Sequence, residues 1–167
     1  YKASKLYSVL PTNGDGDFTT SRASVATRVN ENGLIEEVAS NVPRLDYSDG
    51  GCPSLLLEPT ATNEFTYSED FSSSRGFGVS VIGASTAVHT SNFGISPKGD
   101  LTADRIQLNL NGESYADWFS TRTVVIGVTY TYSIYIKSLG VDADIYFISD
   151  NGTSTLKTIT NEWIKYE

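Results

Sequence analysis

From residue 65 onward the chain reads as short apolar runs rich in Val, Ile, Tyr, Phe and Thr. They span 65–71, 79–89, 103–110, 115–125, 130–138, 143–149, 154–160 and 162–166, with no helical period between them. Gly-, Asn- and Asp-bearing breaks separate them, notably Ser96-Pro97-Lys98-Gly99-Asp100, Asn111-Gly112 and Asp150-Asn151-Gly152. Within two runs the alternation is clear. Tyr132, Ile134 and Ile136 share one face, and Ile106, Leu108 and Leu110 share another, which makes these the expected core faces. The opposite faces carry Ser133, Tyr135 and Lys137, and Arg105, Gln107 and Asn109. About eight short strands of this kind predict a two-sheet sandwich or jelly roll.

Residues 1–62 are patterned differently. Ser4 to Leu10 alternates briefly, Pro11 to Gly16 is turn-like, and Asp17 to Thr20 is again extended. Ala26-Thr27-Arg28-Val29 then faces Leu34-Ile35-Glu36 across Asn30-Glu31-Asn32-Gly33, an Asn-Gly connection that predicts a hairpin. Two-stranded ribbons without a core need neighbouring structure to cover their apolar side, which points to an oligomer. Further on, Ser48-Asp49-Gly50-Gly51 predicts a tight turn. Leu55-Leu56-Leu57 between Pro53 and Pro59 is too short for a helix and is expected to be a buried strand or extended tie. The division is therefore an N-terminal ribbon or attachment segment, 1–62, and a strand-rich domain, 63–167.

Charge narrows the partners. The formal net charge of −8 argues against nucleic acid and anionic membrane, and disfavours polyanionic sugars unless a cation bridges them. No apolar run reaches the length of a membrane-spanning helix. Cys52 is the single cysteine, so no internal disulfide or thiolate cluster forms, and it is expected as a small buried residue behind the turn. The chain opens on Tyr1 without Met or leader and closes on Glu167 inside a strand-like run. It is read as part of a longer or processed polypeptide whose sandwich lacks its closing strand.

Candidate chemistry is sparse. Asn13-x-Asp15-x-Asp17 has the spacing of oxygen ligands for calcium, but Phe18 and Ser24 stand where an EF-hand loop places Gly and Glu, so a solvated turn is the reading. His89 is the single histidine and no Gly-x-Ser-x-Gly elbow surrounds a serine, so His89 is expected at a strand end as a hydrogen-bonding or ligand-facing residue. Glu36, Glu37, Asp46 and Asp49 are carboxylates by type, with no spacing that singles out a glycosidase pair. Phosphate-binding glycine loops are lacking. The reading is non-enzymatic. Sugar binding suits the aromatic content better: sugar rings stack on flat aromatic faces while Asn, Gln and Arg bond hydroxyls. Tyr115, Trp118, Tyr135 and Tyr146 could form such a platform with Arg105, Gln107 and Asn109 alongside, although aromatics in a sandwich more often pack in its interior. Trp163 is assigned to the core.

Four segments carry a resemblance: Arg22-Ala23-Ser24-x-Ala26-Thr27-Arg28-Val29-Asn30, Gly33-Leu34-Ile35-Glu36, Asn41-x-Pro43-Arg44-Leu45-Asp46-Tyr47, and Gly51-Cys52-Pro53-Ser54-Leu55-Leu56-Leu57-Glu58-Pro59. Together they resemble a module of tailed-bacteriophage tail-fibre and other appendage proteins. Tyr67-Ser68-Glu69-Asp70-Phe71-Ser72, the run from Tyr130 to Lys137, and Glu162-Trp163 are similar to the carbohydrate-binding-module-like jelly roll that follows it. The likeness is specific across 22–59 and looser beyond. It implies an all-β fold, with an irregular β-ribbon arm followed by a galactose-binding-like jelly roll. It also implies a virion structural protein on the particle surface, contacting other virion proteins as a homotrimer and touching host surface polysaccharide. A structural calcium near Glu69 and Asp70 is carried over from the same resemblance. The other class of function is a polysaccharide-binding module of a secreted bacterial carbohydrate-active enzyme.

Overall fold

The structure, a computed structural model, describes residues 20–148 and 152–167. The Asn13/Asp15/Asp17 triplet and the ribbon at 4–20, apart from Thr20, lie outside the described residues. The fold is all-β: every described strand pairs antiparallel, and among the described residues the one helical element is the short 3₁₀ turn Ser73–Arg75. Of the described residues, those from Thr20 to Thr121 form one compact unit and those from Arg122 to Glu167 a second.

In the first unit, β1 (Ala26–Val29) and β2 (Ile35–Val38) form the expected hairpin, with Val29 opposite Ile35 and Ala26 opposite Val38. Its turn closes because Gly33 adopts φ 76° and the Asn30 side chain accepts the N–H groups of Asn32 and Leu34. With so short a ribbon, polar clamps do the work that a core does elsewhere. The Arg22 guanidinium donates to the carbonyls of Ser24 (2.8 Å), Val38 (2.9 Å), Ala39 (2.5 Å) and Val42 (3.0 Å). Arg28 bonds Glu36 and the Leu45 carbonyl, and Arg44 bonds the Thr27 carbonyl and Glu58. Asp46, in β3 (Leu45–Asp46), is buried and accepts from the Val29 and Ser48 N–H groups and from the Ser48 hydroxyl. Burial pushes its carboxyl up, but these bonds and Arg44 outweigh that and hold it below the usual range. The ribbon is tied to the rest of the unit where the Ile35 N–H donates to the Pro97 carbonyl (3.0 Å).

Of the two readings of the leucine run the structure has the extended tie, and the burial expected of Cys52 is not found. The leucine run contributes only β4 (Ser54–Leu55), which pairs with β3, and Leu57 is 81% exposed. Cys52 is exposed as well. The Leu56 N–H donates to the Arg44 carbonyl (2.9 Å) and Leu56 is half-buried, while Leu55 and Leu57 are exposed, so the run is an extended tie along β3 and not a buried strand.

Beyond it, the run at 65–71 is a turn and not a strand, held by Asn63 and Ser68. The run at 79–89 splits into β5 (Phe77–Val81) and β6 (Thr86–Gly94), because Ser85 turns inward and bonds both backbone groups of Ile82. With β7 (Ala103–Asn109) and β8 (Ala116–Ser120) they form a nest in which β6 pairs β7 and β5 pairs β8 around them. This is how a long hairpin rolls onto itself. The second unit repeats the rule. Its outer pair is β9 (Ile134–Ile136) with β12 (Ile164–Tyr166), and its inner pair is β10 (Ala143–Ile148) with β11 (Ser154–Ile159).

Burial is thin. Among the described residues Val38, Ala116 and Ile159 are the buried apolar side chains. Ile106 is half-buried as expected, but Leu108 and Leu110 are exposed, and Tyr132 is exposed and precedes its strand. These ladders are two strands wide, so a face predicted to be covered by a second sheet is only partly covered.

Candidate functional site

The β6–β7 ladder offers two chemically different faces. Register pairs His89 with Ile106 and Ala87 with Leu108 on one side, and Thr86, Val88 and Thr90 with Asn109, Gln107 and Arg105 on the other.

The first face turns inward. His89 sits in the middle of β6, not at a strand end, because the turn at 82–85 starts a new strand before it. Its Nε2 lies 2.7 Å from Asp104 Oδ2, and the Asp104 side chain is 3% exposed. Asp104 already accepts the N–H groups of Phe71 (3.0 Å) and Asn92 (2.9 Å), so Nε2 is assigned as the donor. The Trp118 ring stacks on the imidazole, with centroids 5.5 Å apart and planes at 23°. Trp118 Nε1 is buried without a hydrogen-bond partner. A His–Asp pair of this kind orients a base when a hydroxyl or thiol nucleophile stands beside it. Here the imidazole lies against an indole, and its carboxylate partner holds two backbone segments in place. The arrangement is structural in character.

The opposite face carries the polar groups. Arg105 Nη2 donates to Thr90 Oγ1 (3.3 Å), and Asn109 donates to Thr86 Oγ1 (3.3 Å). A bulge shapes its end. Pairing slips between Thr90 and Gly94, Asn92 takes the left-handed conformation (φ 52°), and Asp104 holds the Asn92 N–H. The irregularity lets the Phe93 ring sit over the Arg105 guanidinium at 4.2 Å from the centroid, with the phenyl still 44% exposed.

The proposed sugar platform is thereby sorted. Arg105, Gln107 and Asn109 do share one face, as the alternation implied. Trp118 lies against His89 on the other face of that ladder, and Tyr115 is exposed just before β8. Tyr135 (opposite Lys165) and Tyr146 (opposite Leu156, 63% exposed) belong to the second unit. Phe93, Thr86 and Thr90 join the polar face without having been singled out in the sequence. The alternation Thr86-x-Val88-x-Thr90 was the available signal for the threonines, whereas Phe93 reaches the face only through the bulge.

Glu69 and Asp70, the calcium candidates, each meet a cation: Glu69 Oε1 bonds Lys98 (3.0 Å), and Asp70 Oδ2 bonds Arg75 (2.8 Å). The Ser72 hydroxyl, then Arg75 and the Ser72 N–H, hold the Asp70 carboxyl down at about 2. Among the described residues no group of three His, Cys, Asp or Glu side chains is gathered as a metal site. Among them, too, no helix is long and apolar enough to cross a membrane. Set against protein-family models, curated proteins and solved structures, the chain matches none.

Proposed function

We propose that this chain is a structural subunit of a tailed-bacteriophage appendage, assembled with copies of itself, with its β6–β7 outer face available to a host surface glycan. The observation that carries the assembly is the apolar surface left uncovered. Ile126 is fully exposed, with Val125 at 63% and Val128 at 54% beside it, and Val141 and Leu57 are exposed to a similar or greater degree. Isolated domains rarely present contiguous apolar runs of this kind, whereas subunits of an assembly cover them against their neighbours. Assembly is expected to be symmetric, and the fibre resemblance makes a trimer the first expectation. The resemblance of residues 22–59 to appendage modules supports the same reading.

The polar outer face of β6–β7 also suits a polysaccharide-binding module of a secreted enzyme, and the particle separates the two. Immunogold electron microscopy of purified virions, with antibody raised to this chain, is expected to label a surface appendage in several copies. Unlabelled particles from a lysate that contains the chain overturn the proposal. Sedimentation equilibrium of the full chain is expected to show a concentration-dependent oligomer, reduced by Ile126→Asn without loss of folding.

A further inference from the structure

We propose that Arg105 and Phe93 form a subsite for a single carboxylated sugar, such as a hexuronate residue within a mostly neutral glycan. This deepens the glycan-binding part of the proposed function and rests on it. Most of the chain's arginines in the first unit are already engaged. Arg28, Arg44 and Arg75 pair with Glu36, Glu58 and Asp70, Lys98 with Glu69, and Arg22 bonds four carbonyls. Among the described residues Arg105 has no carboxylate or carbonyl partner, although acidic residues outnumber basic ones 20 to 12 in the chain. Among the described residues its hydrogen bond is the 3.3 Å contact from Nη2 to Thr90 Oγ1, and its Nε is buried with no acceptor. A half-buried guanidinium left short of acceptors is a costly arrangement unless something else supplies them.

The surroundings say what that something is. The ladder positions on this face are Thr86, Val88, Thr90, Gln107 and Asn109, none of them acidic. Asp104, the neighbouring acid on β7, points to the other face and is occupied by His89, Phe71 and Asn92. An anion arriving here therefore meets one fixed cation with no fixed carboxylate on the same ladder face, and among the described residues Arg105 Nη1 donates to no acceptor. A planar carboxylate matches the guanidinium fork. Phe93 covers the guanidinium with one ring face and keeps an exposed surface against which the C–H side of a sugar can pack. Gln107 and Asn109 lie further along the same face for hydroxyl groups. One carboxylate is the right dose. Charges beyond about 8 Å are screened, so a single acidic sugar feels Arg105 locally, whereas a long polyanion meets the chain's net charge of −8.

The test uses the full chain and two ligands that differ only at C6, methyl β-glucuronide and methyl β-glucoside, followed by amide chemical shifts. The glucuronide is expected to shift amides of β6 and β7 and to bind at least about tenfold tighter than the glucoside, as a charge-assisted bond implies. Arg105→Gln is expected to erase that difference, while Lys165→Gln leaves it intact. Equal binding of the two glycosides by the wild-type chain overturns the carboxylate subsite while leaving glycan binding standing, and requires no variant to fold. Acetate binding as tightly as the glucuronide overturns it in favour of a bare anion site. No response to either glycoside or to neutral oligosaccharides removes the glycan reading itself.

Discussion

His89 Nε2 and Asp104 Oδ2 meet at 2.7 Å across neighbouring strands, and that contact organises much of the first unit. Through Asp104 it fixes the Phe71 backbone ahead of β5 and the Asn92 backbone at the bulge. The inner face thus determines where Phe93 stands on the outer one. Asp104→Ala removes the shared acceptor and leaves three donors without it, one of them on a half-buried imidazole. It is expected to cost about 2–4 kcal/mol. Urea unfolding followed by tryptophan fluorescence measures this, and a midpoint equal to wild type refutes the structural role.

Asp70 gives the acid limb of stability a definite sign. Its folded value of about 2 lies below the ordinary 3.8, held there by Ser72 and Arg75. Its bonds therefore contribute stability that is complete above pH ~4 and is lost as pH falls through about 2, where the folded state also takes up the proton. Asp70→Asn is expected to flatten the fall in melting temperature between about pH 4 and pH 2. An unchanged slope contradicts the assignment.

Arg22 is held in a geometry lysine cannot copy, since its planar fork reaches the carbonyls of Ser24, Val38, Ala39 and Val42 together. Arg22→Lys is expected to loosen the β1–β2 ribbon by about 1–2 kcal/mol, in line with the loss of charge-assisted bonds. Hydrogen exchange reads this locally: amides of β1 and β2 should exchange faster while those of β6 and β7 keep their rates.

The β10–β11 ladder has an inner and an outer side that mutation can tell apart. Ile159 is 2% exposed, whereas Ile148 on the alternate face is 63% exposed. Ile159→Ala is expected to cost about 2–4 kcal/mol, as removing a buried branched side chain does. Ile148→Ala should shift thermal stability by less than about 0.5 kcal/mol at low protein concentration. Equal losses would mean that the two faces are not covered differently, and a larger loss at Ile148 that they are assigned the wrong way round.

Short-range features were legible from residues alone. The Asn30–Gly33 turn, the β7, β10 and β11 strands and the shared face of Arg105, Gln107 and Asn109 all follow from turn chemistry and a two-residue repeat, which depend on neighbours along the chain. What the repeat leaves open is which face is covered and by what, because that depends on residues far apart in sequence. Leu55 and Leu57 look like core yet lie exposed, since the segment pairs only with the two-residue strand β3. Trp118 looks like a sugar platform yet stacks on His89, since the nested pairing folds β8 over the β6–β7 ladder. Phe93 sits over Arg105 across a bulge whose Asn92 N–H answers to a buried carboxylate on β7. Local chain chemistry set the strands; cross-chain geometry decided their company.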